Sequence, residues 1–179
     1  MRIAVYCSSR TDIDLQYIQS AEAVGTWIGS HSATMVYGGM NFGLMKVVAS
    51  AVKVSGGKVI GVVPISIKSG MNPENDETIF ACDLNDRKAK IMMLSDVFVV
   101  LPGGYGSLDE FITTFAFLSF TSDSSKKIIL LNQNNIYDNI LQQMQVMIDN
   151  AMMDPALLQR IKIAVSAEEC CVLLRECLK

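Results

Sequence analysis

Pro102-Gly103-Gly104-Tyr105-Gly106-Ser107-Leu108-Asp109-Glu110 puts a glycine turn, a hydroxyl and two carboxylates within one short stretch. An apolar run at 97–101 precedes it, and Phe111, Thr114, Phe115 and Leu118 follow at helical spacing. Strand, turn and helix start therefore meet here. The backbone N–H groups that a helix start leaves unpaired can hold a phosphate. The same pattern puts Glu110 in the first helical turn, beside whatever carries that phosphate. A phosphate cradle next to an acid is a site for acting on a nucleotide. Ser107 and Glu110 are three residues apart and share a helix face. Asp109, adjacent on the helix, points another way and does not pair with Glu110 as a second catalytic acid. Arg87 opens another expected helix, and its planar guanidinium suits the phosphate or Glu110 itself. Lys88, its neighbour, would add charge at the phosphate. Plainer readings stand beside these. A first-turn acid also complements a helix dipole, and an arginine in an acidic chain is ordinarily solvated.

These residues need elements to position them. Apolar runs predict strands over 2–7, 33–37, 58–63, 77–82, 96–101, 127–131 and 161–165. Helical patterns cover 14–30, 44–55, 84–95, 106–120 and 137–151, with a last helix from Ala167. Residues 65–76 read as a long, mobile loop. Nearly continuous apolar strands between helices imply an α/β fold, a Rossmann-like doubly wound parallel sheet with helices on both faces. The expected organisation is one domain over residues 1–179. Ligands of such sheets bind beyond the carboxyl ends of the strands, where strand order reverses. Ser8-Ser9-Arg10, Gly38–Gly43 and Pro102–Gly106 fall there. One glycine turn is only a turn, but two at equivalent sheet-edge positions, each before a helix, favour a ligand site.

Bulk properties remove several functions. The chain has 179 residues, is 50% hydrophobic and carries a net charge of −3. A chain that acidic, without a basic tract, is poorly suited to a nucleic-acid backbone. The five cysteines lack metal-type spacing and read as reduced thiols of a cytoplasmic protein. His31 is the only histidine, which leaves no basis for His-based catalysis or a His-rich metal site. No targeting segment or membrane span is expected, nor any metal or cofactor. No G-x-G-x-x-G or G-x-x-x-x-G-K-[ST] loop is present, which weighs against NAD binding and ATP hydrolysis. The methionine-rich helices, with Met92-Met93, Met144, Met147 and Met152-Met153, read as core or subunit contact.

Pro102–Glu110 resembles the PGGxGTxxE motif of the LONELY GUY (LOG) family, the cytokinin riboside 5′-monophosphate phosphoribohydrolases. The resemblance runs over nearly the whole chain. Cys7-Ser8-Ser9 is similar to the family's first phosphate-side loop. Val36-Tyr37-Gly38-Gly39-Met40-Asn41-Phe42-Gly43-Leu44-Met45 is similar to its VYGGGxxGLM segment. Val59-Ile60-Gly61-Val62-Val63-Pro64 is similar to VIGVIP, and Arg87-Lys88-Ala89 to the RKA of MHxRKA. The chain departs from the pattern at Ser107 for Thr, at Met40 for Gly, and at Leu84-Asn85-Asp86 for Met-His-x. Ala116 falls about where plant members carry Thr. Members are often labelled lysine decarboxylases, a label for which this sequence offers no Schiff-base lysine context.

The resemblance implies hydrolysis of the N-glycosidic bond of a nucleoside 5′-monophosphate, giving free base and ribose 5-phosphate. It implies Arg87 and Glu110 as catalytic residues. It places Ser8, Gly38, Gly39, Lys88, Gly103, Gly104, Tyr105, Gly106, Ser107 and Asp109 around the substrate. A homodimer whose partners lend residues to each pocket is also implied. Two rivals stand against this reading. A molybdenum-cofactor carrier shares the fold and loop without needing the Arg87 and Glu110 pair. A nucleotide-sensing module would need a further domain to signal to. The sequence leaves open whether the base is adenine or an N6-substituted adenine.

Overall fold

The computed structural model describes residues 1–121 and 125–178. Strands β1 (Arg2–Tyr6), β2 (Thr34–Tyr37), β3 (Lys58–Pro64), β4 (Glu77–Ala81), β5 (Val97–Val100), β6 (Lys127–Leu131) and β7 (Ile161–Ala164) form one parallel sheet. Helices α1 (Leu15–Ser30), α2 (Gly43–Val54), α3 (Leu84–Leu94), α4 (Tyr105–Ser119), α5 (Asp138–Asp149) and α6 (Ala167–Glu176) connect or follow them. The strand order is β4-β3-β2-β1-β5-β6-β7, which makes this the expected Rossmann-like doubly wound sheet. The chain moves outward from β1 to β4, then returns to lay β5 on the other side of β1. The reversal between β1 and β5 opens the crevice that ligands of such folds use.

Strand alternation divides the core in two. Ile3, Val5, Met35 and Val99 pack with α1, α2 and α6 through residues such as Val24, Val48 and Leu174. Ala4, Tyr6, Phe98 and Val100 face the other way, against Ile91 of α3, Phe111 and Phe115 of α4 and Met144 of α5. Both faces of the central strands are buried, so their residues are apolar without interruption. In register, Val5 sits opposite Val99 and Tyr6 opposite Val100. The Leu101 N–H then donates to the Tyr6 carbonyl at 2.9 Å. The loops after β1 and β5 therefore leave the sheet side by side. Among the described residues, no helix is long and apolar enough to cross a membrane.

Two expectations change. Glu110 is the sixth residue of α4 and lies in its second turn, because the helix begins at Tyr105; its first turn holds no acid. A dipole-complementing role for Glu110 is thereby removed, since that effect fades within the first turn. Residues 65–76, read as one long loop, also hold a 3-10 element and hydrogen bonds to distant parts of the chain. Ile65–Gly70 forms a 3-10 turn, and Gly70 and Asn72 hydrogen-bond the loop after β2. The Asn41 N–H donates to the Gly70 carbonyl at 3.0 Å and the Asn72 N–H to the Gly39 carbonyl at 2.7 Å.

Candidate active site

A cavity of about 500 Å³ opens at the carboxyl edge of the sheet, beside the β1–β5 reversal. Ser8 and Gly38 reach it from the loops after β1 and β2. Gly104, Tyr105, Gly106 and Ser107 reach it from the start of α4. Arg87 of α3 and Glu110 of α4 complete it. A larger cavity of about 610 Å³ lies at the opposite sheet edge, by Met1, Asp96 and Lys162, and collects none of these groups.

The start of α4 suits an anion. Its N-cap is Gly104, no side chain caps it, and no carboxylate occupies its first turn. Helices α1, α3 and α6 are capped instead by Asp14, Asp83 and Ser166. The first-turn N–H groups of α4 are thus left for something other than the protein's own side chains. A Cβ at Gly104 or Gly106 would meet nothing within 4 Å, so open space lies beside both. Gly103 differs, because a Cβ there would stand 2.1 Å from Ser107 Oγ. Ser107 is 3% exposed, and its hydroxyl has no hydrogen-bond partner among the described residues. Tyr137 braces this loop from beneath, its hydroxyl donating to the Leu101 carbonyl at 2.7 Å.

Arg87 Nη2 donates to Glu110 Oε1 at 2.6 Å, with both side chains largely buried. The start of α3 that carries Arg87 is firmly held. The Asp83 carboxylate accepts from the Asn85 and Asp86 N–H groups, each at 2.8 Å, and Asp86 accepts from the Cys82 N–H at 2.8 Å. Burial pushes the Glu110 carboxyl up to about 7; Arg87 opposes that rise and Asp109 adds to it. The ion pair therefore does not fully offset the cost of keeping the carboxylate from water. Arg87 Nε is buried without a partner among the described residues. Below the pair, the Tyr6 and Thr114 hydroxyls share a hydrogen bond at 2.9 Å, tying β1 to α4 one turn past Glu110. Cys7 also lines the cavity; burial and the nearby Glu110 push its thiol up, so it stays protonated.

Residues 45–174 match a protein-family model described as "Possible lysine decarboxylase". The chain is 33% identical over 172 residues to a cytokinin riboside 5′-monophosphate phosphoribohydrolase of Arabidopsis thaliana, covering 94% of this chain and 79% of that protein. The chain belongs to the LOG family. A cytokinin riboside 5′-monophosphate phosphoribohydrolase of Rhodococcoides fascians is 31% identical over 169 residues, covering 93% of this chain and 85% of that protein. Among solved structures, the molybdenum cofactor carrier protein of Chlamydomonas reinhardtii superposes with a TM-score of 0.77 at 19% identity, covering 99% of this chain and 97% of that one. The molybdenum cofactor binding protein of Rippkaea orientalis gives a TM-score of 0.76 at 22% identity, with the same coverage. At these identities the likeness concerns the fold.

Some of the residues matched to LOG-family motifs lie apart from the cavity. Lys88 Nζ donates to Asp109 at 2.7 and 2.9 Å, so these two pair across α3 and α4 and do not line it. Gly39 has φ +71, and a Cβ there would stand 2.5 Å from Val63 Cγ2, so it serves the turn against β3. Gly103 packs on Ser107 and does not line the cavity. Met40, which adds bulk where the LOG pattern has glycine, lines it, and Ser9, Arg10, Phe42, Met45 and Ile67 line it without having been assigned a role. Arg10 could have been singled out as a cation in the first loop at the sheet edge. Ile67 carries no local signal, because its approach depends on how the segment after β3 folds back.

Proposed function

We propose that this LOG-family chain hydrolyses the N-glycosidic bond of a nucleoside 5′-monophosphate. The observation that carries the reading is the buried Arg87–Glu110 pair, at 2.6 Å, in the cavity that the uncapped start of α4 also lines. The phosphate sits on the N–H groups of Tyr105, Gly106 and Ser107, with the Ser107 hydroxyl beside it. Glu110, one turn further along the same face, meets the ribose. The bond from C1′ to the base breaks with its electron pair going to the base nitrogen, and positive charge develops on the sugar. The Glu110 carboxylate stabilises that charge and receives a proton from the attacking water. The water oxygen bonds to C1′, and the proton taken up by Glu110 passes to the departing base nitrogen, which restores the carboxylate. Arg87 orients Glu110 and favours its charged form. The products are free base and ribose 5-phosphate.

Support also comes from relatives at about 30% identity that are named as phosphoribohydrolases. The carrier reading draws on the fold likeness to molybdenum-cofactor proteins, but a carrier has no use for a buried acid paired with arginine. The active form we propose is a homodimer. Met93 and Phe120 are 78% and 93% exposed at the ends of neighbouring helices α3 and α4, an apolar surface that a second copy would cover. The test compares AMP with adenosine. Phosphate binding should position the ribose for cleavage, so AMP should be used far better. Comparable kcat/KM for the two would overturn the assignment of the α4 start to phosphate.

A further inference from the structure

We propose that Met40 sets the size limit of the base subsite, and that the substrate is the 5′-monophosphate of a purine whose exocyclic amine carries no bulky group. This rests on the nucleotide reading above and names the substrate class for that site. The start of α4 takes the phosphate and the Arg87–Glu110 pair takes the ribose. The rest of the cavity wall is largely apolar, from Met40, Phe42, Met45, Ile67 and Leu84. A flat, weakly polar base belongs against such a wall.

Met40 is the residue of that wall with a structural reason to be rigid. It is 4% exposed although it borders the cavity. Its backbone forms an antiparallel bridge with Met71, at the end of the segment that follows β3. Its side chain runs under that segment: a Cβ on Gly70 would stand 2.8 Å from Met40 Cε and 3.6 Å from Phe42 Cε1. The thioether therefore fills the space between cavity and strap. Where the LOG pattern has glycine, that space would be a hollow continuous with the cavity. Methionine is ordinarily adaptable, but here its side chain is 4% exposed and its methyl lies against Gly70.

The strap is also held down. The Tyr37 hydroxyl donates to Asn75 Oδ1 at 2.6 Å, and Asn72 Nδ2 donates to the Tyr37 hydroxyl at 3.0 Å. Asn72 is 2% exposed, so lifting the strap would strip a buried amide of its partners. A wall fixed in this way discriminates by size. A base with a large group on its exocyclic amine must displace Met40 or the strap, and an unsubstituted one need not.

The experiment measures kcat/KM for AMP, N6-methyl-AMP, N6-isopentenyl-AMP and N6-benzyl-AMP with the wild type and Met40→Gly. The wild type should favour AMP over the isopentenyl compound by at least ~10-fold, the scale on which pockets reject extra carbon. In Met40→Gly that ratio should shrink by ~10-fold or more. Equal or better use of the isopentenyl compound by the wild type overturns the proposal, as does an unchanged ratio in folded Met40→Gly. If the glycine variant fails to fold, Met40→Ala and the wild-type series carry the same comparison. Calorimetric binding of the four nucleotides separates this proposal from the proposed activity. If no nucleotide is hydrolysed, the activity reading fails, and the binding series still decides here. Tighter binding of AMP by ~10-fold supports the size limit, and equal binding overturns it.

Discussion

The Glu110 carboxyl sits 2.6 Å from Arg87 Nη2, and burial pushes it up to about 7 from an ordinary 4.5. Two pH effects follow. If the carboxylate is the working form, kcat/KM for AMP should rise as pH increases through about 7. The substrate phosphate titrates near ~6, so Glu110→Gln is the control: the limb near 7 should vanish and any limb near 6 should stay. A limb unchanged in that variant contradicts the assignment. The stability effect has the opposite sign. A carboxyl raised in the folded state binds its proton more tightly there than in the unfolded chain. Its stabilising contribution is complete below about 4.5 and is lost as pH rises to about 7, which a Tm series on wild type and Glu110→Gln would show. Arg87→Lys keeps the charge and loses the planar fork. If Arg87 orients Glu110, kcat should fall steeply at saturating AMP; a wild-type kcat with only a raised KM would make Arg87 an anchor. Ser107 and Glu110 were legible in the sequence because one short helix segment carries both. The Lys88–Asp109 pair was not, since it depends on how α3 and α4 sit against each other. Arg10 and Met40 were legible in loops at the ligand edge, Met40 as added bulk beside the pocket; the approach of the Met40 methyl to Gly70 was not.

The glycine turn before α4 separates two kinds of constraint. Gly103→Ala would bring a Cβ to 2.1 Å from Ser107 Oγ, so the loop must move. Both a lower Tm and a KM for AMP raised by ~10-fold or more are expected. Gly104→Ala meets nothing within 4 Å, and the folded protein should tolerate it. A raised KM with unchanged Tm in Gly104→Ala would show that the ligand approaches there, whereas wild-type kinetics would move the phosphate elsewhere. The sheet itself was readable from apolar runs, because both faces of its central strands are buried. Strand and helix ends shifted by a residue or two, as fraying ends do. The segment at 65–76 read as mobile because its order comes from partners far along the chain. Tyr37 and Gly39 hold Asn72, and neither leaves a mark within the segment itself.

At the scale of the whole molecule, the homodimer we propose would cover the exposed Met93 and Phe120 at the ends of α3 and α4. Sedimentation should give a dimer, and Phe120→Asp together with Met93→Asp should shift it to monomer. A wild type that stays monomeric at assay concentrations contradicts the homodimer. Fold likeness cannot divide hydrolase from carrier, because both kinds of protein share this sheet; the chemistry at Glu110 can. The most direct measurement incubates AMP with wild type and with folded Glu110→Gln, and quantifies adenine and ribose 5-phosphate. Equal amounts of both products are expected from the wild type, and kcat lower by at least ~100-fold in the variant. Nucleotide bound by the wild type without release of base, or near-normal turnover by Glu110→Gln, would contradict it.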